Sequence, residues 1–130
     1  GDLSQIAKVM SMADGCLERY SGNDDQVLPI LSLGGLGVIS VLSNVAPKFT
    51  HDMVMKYFDG DTKGATEDQL KALPLINALF SEVNPIPVKT AMNLMGMNVG
   101  PLRMPLCEME EDTKAALAKE IEKFGLKLAK

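Results

Sequence analysis

Apolar residues recur at helical spacing from the start of the chain. Leu3, Ile6, Val9 and Met10 follow Asp2-Leu3-Ser4-Gln5, which reads as a cap with glutamine at the third helical position. This predicts a first helix to about Met12, ended by Asp14-Gly15. Cys16 to Tyr20 is a short strand candidate closed by Ser21-Gly22. Asp24 or Asp25 can cap a second helix with apolar positions Val27, Leu28, Ile30, Leu31 and Leu33, and Gly34 supplies a left-handed stop. Val38-Ile39-Ser40-Val41-Leu42 is then a nearly continuous apolar, β-branched run, the pattern of a strand covered on both faces. Strand, short helix and strand make a βαβ unit, so the two strands should be parallel.

From Asn44, a candidate cap, the pattern turns helical: Val45, Phe49, Met53 and Tyr57 recur until Gly60. The next helix places Leu70, Leu73, Ile76 and Phe80 on one face and ends near Ser81; Pro74 inside it removes a backbone hydrogen bond and predicts a kink. Asn84-Pro85-Ile86-Pro87 puts prolines where a helix tolerates them, followed by a stripe of Val88, Ala91, Met92 and Met95 closed by Gly96. Residues 97–107 read as an extended connection. The last helix carries Glu110, Glu111 and Asp112 at its start and Lys123 and Lys127 at its end, matching the macrodipole, with Leu117, Ile121, Phe124 and Leu128 as its buried face. The chain thus divides near residue 60 into an alternating β/α part and a helical part. Two strands alone cannot cover both faces or satisfy their edges, so residues 1–60 read as a slice of a larger parallel sheet or barrel, with residues 61–130 as a helical cap.

Composition supports a real core, with 46% hydrophobic residues in a chain of 130. A net charge of −4, scattered basic residues and 5% aromatics argue against a nucleic-acid surface. The apolar stretch from Gly34 to Ala46 is too short and too polar to span a bilayer. The N-terminus lacks the basic and apolar regions of a signal peptide, which makes the cytoplasm the expected location. Cys16 and Cys107 have no partner at metal-ligand spacing and read as buried or half-buried thiols.

In parallel sheets and (β/α)8 barrels, chemistry gathers at the C-terminal ends of the strands. Ser21-Gly22-Asn23-Asp24 follows the first strand and Ser43-Asn44 the second, with Ile39 and Ser40 inside the latter. Gly22 offers close backbone approach to a ligand, flanked by polar side chains; the same four residues also make an ordinary turn and cap, and both readings stand. Gly34-Gly35-Leu36-Gly37 precedes its strand and lacks the spacing of a phosphate cradle. His51 is the only histidine and reads as a solvated helix position, so no metal cluster or nucleophile triad assembles. Glu108, Glu110, Glu111 and Asp112 are explained by the helix start. No complete catalytic constellation, metal site or cofactor motif is present.

Tyr20-Ser21-Gly22-Asn23-Asp24-Asp25, Gly37-Val38-Ile39-Ser40-Val41 with Ser43-Asn44-Val45-Ala46, Asn84-Pro85-Ile86-Pro87-Val88-Lys89 and Leu102-Arg103-Met104-Pro105-Leu106 together resemble the dihydrodipicolinate synthase family. The Asn-Pro-Ile-Pro-Val-Lys run separates it from the related sugar-acid aldolases. The resemblance implies an α/β fold: the C-terminal part of a (β/α)8 TIM barrel, with residues 1–60 supplying its last helices and strands seven and eight, then a three-helix C-terminal domain over residues 61–130. It implies a lyase of lysine (diaminopimelate) biosynthesis that condenses pyruvate with aspartate semialdehyde through a lysine Schiff base and needs no cofactor. That lysine would precede Gly1, so no catalytic residue falls within the chain. The proton-relaying tyrosine and threonine, the arginine for the aldehyde's carboxylate and the lysine-inhibition site would lie earlier still.

Carried over by the resemblance are Ile39, whose main chain would lie beside bound pyruvate, and Gly22, which would line the same site. Asn23 stands where many members have aspartate. Leu3, Ser4 and Leu33 match the family's homotetramer contacts, with plain barrel packing as the alternative. The implied partners are an N-terminal barrel half and further copies of the subunit. A non-catalytic scaffold or oligomerisation fragment and a sister pyruvate-dependent aldolase remain rival readings.

Overall fold

The computed structural model describes residues 1–13 and 15–129, so the helix stop read at Asp14 lies outside the described residues. Helix α1 (Leu3–Ala13) starts on Asp2, whose Oδ1 accepts the Ser4 and Gln5 N–H groups at 2.9 and 3.3 Å. Strand β1 (Tyr20–Ser21), a 3₁₀ turn (Asp24–Gln26), α2 (Val27–Ser32) and β2 (Gly37–Val38) complete a βαβ unit. The strands are parallel, with Tyr20 opposite Gly37 and Ser21 opposite Val38. Val27, Leu28, Ile30 and Leu31 are the buried face of α2, whereas Leu33 is exposed. Gly34 at φ 88° closes this helix as expected.

Both strands are shorter than the hydrophobic pattern suggests. The first does not reach back to Cys16, because parallel pairing begins only where Leu36 N–H meets the Arg19 carbonyl, at 2.7 Å. The second ends at Val38, so Ile39 and Ser40 lie just beyond it. Side-chain oxygens capture the backbone there. Asp24 Oδ2 accepts from the Val41 and Leu42 N–H groups, and Ser40 Oγ accepts from Ser43 N–H at 2.8 Å, bending the chain into a 3₁₀ turn (Leu42–Asn44). Asn44 is not the cap of the next helix. Its amide donates back to the Val41 carbonyl at 3.0 Å, and α3 (Pro47–Phe58) starts after Ala46 with Pro47 in its first turn. Asp24, read as a candidate cap of α2, is buried and serves the distant Val41 and Leu42 amides instead.

Helix α4 (Thr62–Leu79) continues through Pro74, and of the face read from its largest side chains only Ile76 is buried. Leu70, Leu73 and Phe80 are exposed; Ala65, Gln69, Ala72, Leu75, Ile76 and Leu79 are buried. The contact stripe uses small alanines that let neighbouring helices approach, so size misidentifies it. Helix α5 (Ile86–Leu94) and α6 (Glu111–Phe124) pack against α4, and Leu117 and Ile121 of α6 are fully buried. Phe124 and Leu128 are only half-buried, and Lys127 lies beyond the end of α6. Cys16 and Cys107 are exposed rather than buried, because both sit in connections between elements and not on a packed helix or strand face.

One hydrophobic cluster joins α4, α5 and α6 to Leu42, Val45 and Ala46, and a smaller one joins Val27, Leu28 and Leu31 to Met53 and Ala65. Burial of a side chain such as Leu75 or Leu79 contributes about 1.5–3 kcal/mol, so this packing fixes the exit of β2 against the helical part. Among the described residues no helix is long and apolar enough to cross a membrane.

Candidate active site

The parallel register carried one step past Ser21 and Val38 brings Gly22 beside Ile39 at the C-terminal ends of both strands. The Ile39 N–H donates to the Ser21 carbonyl at 2.8 Å, which fixes that juxtaposition. Ser21 is fully buried; its hydroxyl donates to the Asn23 carbonyl at 2.7 Å and accepts the Asn23 N–H at 3.2 Å, folding the turn back on itself. Gly22 is exposed, and a Cβ placed on it would meet no described atom within 4 Å. Neither a left-handed backbone nor the chain's own packing therefore requires glycine there. Ile39 is 75% exposed, an apolar residue at the mouth of the strands.

Behind these two positions lies a buried polar linkage. Asp24 is 2% exposed, and its Oδ2 accepts Val41 N–H at 2.8 Å and Leu42 N–H at 2.9 Å. Its Oδ1 is buried without a hydrogen-bond partner among the described residues. The Asp24 carbonyl accepts from Gln69 Nε2 on α4 at 2.8 Å, while Gln69 Oε1 accepts Leu28 N–H at 3.4 Å. Helix α4 thereby reaches the exits of both strands. Gln69 escaped the sequence reading, although a glutamine in phase with Ala65, Ala72 and Ile76 is a polar residue inside an apolar stripe.

Gly22 and Asn23 line a groove of about 450 Å³ between α1 and β1, together with Gly1, Arg19, Tyr20 and Gln26. A second groove, about 300 Å³, runs from Tyr20 and Val38 past Ser40 and Ser43 to His51. Ile39 lines neither, and among the described residues no lysine lines either one. A further cavity, about 480 Å³, lies elsewhere, between α5, α6 and the connection joining them. Both lysines that line it are engaged: Lys89 Nζ donates to the Pro101 carbonyl at 2.6 Å, and Lys114 pairs with Glu111 at 3.2 Å. We therefore place the candidate site at the strand ends, where the polar turn and the exposed apolar residue meet.

The perturbed titrations lie away from that site. A hydrogen bond from Lys48, then one from His51, holds the Asp52 carboxyl below the usual carboxylate range, and the hydrogen bond to Asp68 raises the Lys56 amine above its ordinary value. His51 is exposed, with Nδ1 3.2 Å from Asp52 Oδ1. Among the described residues no three His, Cys, Asp or Glu side chains are grouped to hold a metal ion. Leu3 and Ser4 on α1 and Leu33 at the end of α2 are all exposed.

A family model described as the dihydrodipicolinate synthetase family matches residues 1–124. The chain is 58% identical over 125 residues to the 4-hydroxy-tetrahydrodipicolinate synthase of Lachnoclostridium phytofermentans, covering 96% of this chain and 42% of that protein. The crystal structure of dihydrodipicolinate synthase from Thermotoga maritima matches with a TM-score of 0.92 at 43% identity, covering 97% of this chain and 44% of that one. A chloride-inhibited dihydrodipicolinate synthase from Acinetobacter baumannii, complexed with pyruvate, matches with a TM-score of 0.90 at 31% identity, covering 97% of this chain and 43% of that one. The chain thus spans less than half the length of the relatives it matches.

Proposed function

Because this chain belongs to the dihydrodipicolinate synthetase family, we propose that it is the C-terminal portion of a (β/α)8-barrel lyase that condenses pyruvate with aspartate semialdehyde in lysine biosynthesis. The observation that carries this reading is the 58% identity to a 4-hydroxy-tetrahydrodipicolinate synthase across nearly the whole chain. Residues 1–60 are then the last helices and strands seven and eight of the barrel, and residues 61–130 a C-terminal domain of three helices, α4 to α6. The completed protein works in the cytoplasm as a homotetramer, with Leu3, Ser4 and Leu33 at subunit contacts. The exposure of these three residues leaves them open to such contacts.

In the completed barrel a lysine ahead of Gly1 adds its amine to the keto carbon of pyruvate. Water leaves, and the iminium so formed acidifies the methyl group that attacks the aldehyde. This chain contributes one wall of the site: Gly22 and the main chain of Ile39 beside pyruvate, and Asn23 at the rim. The open space around Gly22 supports that role, since no contact inside the chain accounts for a glycine there. Asn23 supplies hydrogen bonds without charge, so it orients the substrate and does not titrate with it.

The test is to complete the chain with the preceding barrel portion of the Lachnoclostridium phytofermentans relative, add labelled pyruvate and reduce with borohydride. Label on a lysine of the added portion together with condensation activity is the expected result. Label confined to Lys48, Lys56 or Lys89 of this chain would overturn the assignment.

A further inference from the structure

Gln69 belongs to the helical part of the chain, yet its side chain is buried and is spent on the strand exits. Its Nε2 donates to the Asp24 carbonyl at 2.8 Å across 45 positions of sequence. Asp24 in turn gathers the Val41 and Leu42 amides on a single carboxylate oxygen, at 2.8 and 2.9 Å. Those amides follow Ile39 and Ser40 directly, and Asp24 itself follows Gly22 and Asn23. One buried residue therefore sets the backbone path on both sides of the candidate site. Among the described residues only its Oδ2 is engaged, because Oδ1 is buried without a partner, so the carboxylate depends on its surroundings to hold its orientation. Helix α4 lies against the 3₁₀ turn that carries Asp24, and Gln69 is the side chain through which it grips that turn.

We propose that Gln69 is a positioning residue for pyruvate: through Asp24 it fixes the Ile39–Leu42 backbone, so that helix α4 sets the shape of the substrate wall. The inference rests on the reading that Gly22 and Ile39 flank pyruvate. Gln69 touches no substrate. Its loss should loosen the wall and weaken pyruvate binding while leaving the reacting lysine, and so kcat at saturation, largely in place.

The test uses the completed enzyme described above, carrying Gln69→Met, which keeps length and apolar bulk but removes both hydrogen bonds. Leu70→Gly, on the exposed face of α4, serves as a control that destabilises the helix without touching Asp24 or the core around Leu42. Gln69→Met should raise KM for pyruvate about tenfold with little change in kcat or in KM for aspartate semialdehyde. Amide exchange at Val41 and Leu42 should accelerate in the same variant, while Leu70→Gly leaves both readouts near wild type. An unchanged pyruvate KM in Gln69→Met, or an equal rise in Leu70→Gly, overturns the positioning role alone. A wild-type enzyme that traps no pyruvate overturns the functional reading, and this inference falls with it.

Discussion

The ring of Phe49 on α3 meets the ring of Phe124 on α6 edge to face, with centroids 4.8 Å apart and planes at 76°. This contact joins the helix that follows β2 to the last helix of the chain. Lys71 on α4 lies over both rings, its Nζ 5.7 Å from the Phe49 centroid and 5.5 Å from that of Phe124. Three helices are thereby held at one point outside the fully buried core.

Phe124→Leu keeps most of the apolar volume but loses the ring-edge geometry and the face presented to Lys71. It should lower the unfolding free energy by about 1–2 kcal/mol, and Lys71→Met by less than about 1 kcal/mol. Urea denaturation of the two single variants and the double variant measures this. Fully additive losses would mean that the cation and the ring do not interact.

Gly35 is fixed by close approach. A Cβ there would stand 2.7 Å from both the Ile30 carbonyl oxygen and Ile30 Cγ2. The Gly35 N–H also donates to that carbonyl at 2.9 Å, so the backbone cannot withdraw without breaking the bond. Gly35→Ala should destabilise the fold by about 1–3 kcal/mol and displace β2 from β1. A thermal melt matching wild type would show that the turn relaxes freely. Within the glycine run before β2, Gly35 is thus fixed by packing and Gly34 by its left-handed backbone.

Much of this architecture is legible in the sequence, for reasons visible in individual residues. The buried face of α2, the stop at Gly34 and the parallel pairing follow from local periodicity and from the short βαβ connection. What escapes is decided by tertiary contacts. Val41 and Leu42 read as strand because they are apolar and follow a β-branched run, but the Asp24 carboxylate, 17 and 18 positions earlier, takes their amides. Leu70 and Phe80 read as core by size, while Ala65 and Ala72 are the positions neighbouring helices can approach. The juxtaposition of Gly22 and Ile39 is implied once the strands are parallel. The part played by Gln69 is not, since it depends on where α4 lands.

Gly22 offers the converse experiment to Gly35. A methyl group at Gly22 enters open space within this chain. Gly22→Ala should leave the melting temperature of the chain unchanged and, in the completed enzyme, raise KM for pyruvate by about tenfold or more through steric exclusion. Unaltered pyruvate kinetics would remove Gly22 from the substrate wall.

Lys56 and Asp68 bind α3 to α4, with Nζ 2.6 Å from Oδ2, and the Asp68 side chain is only 17% exposed. The hydrogen bond to Asp68 is the main reason the Lys56 amine titrates above its ordinary 10.5; partial desolvation opposes the shift. The folded state therefore holds the Lys56 proton more tightly than the unfolded chain does. Linkage fixes the sign: the stabilisation is complete below pH 10.5 and is lost as pH rises through the higher folded-state value. Asp68→Asn should accordingly unfold at lower urea than wild type at neutral and mildly alkaline pH, and the two curves should converge above that range. Because the Lys56 side chain is 41% exposed, added salt should shrink the gap as well. A gap that persists undiminished into strong alkali would assign the effect of Asp68 to packing and remove the ion pair from the account.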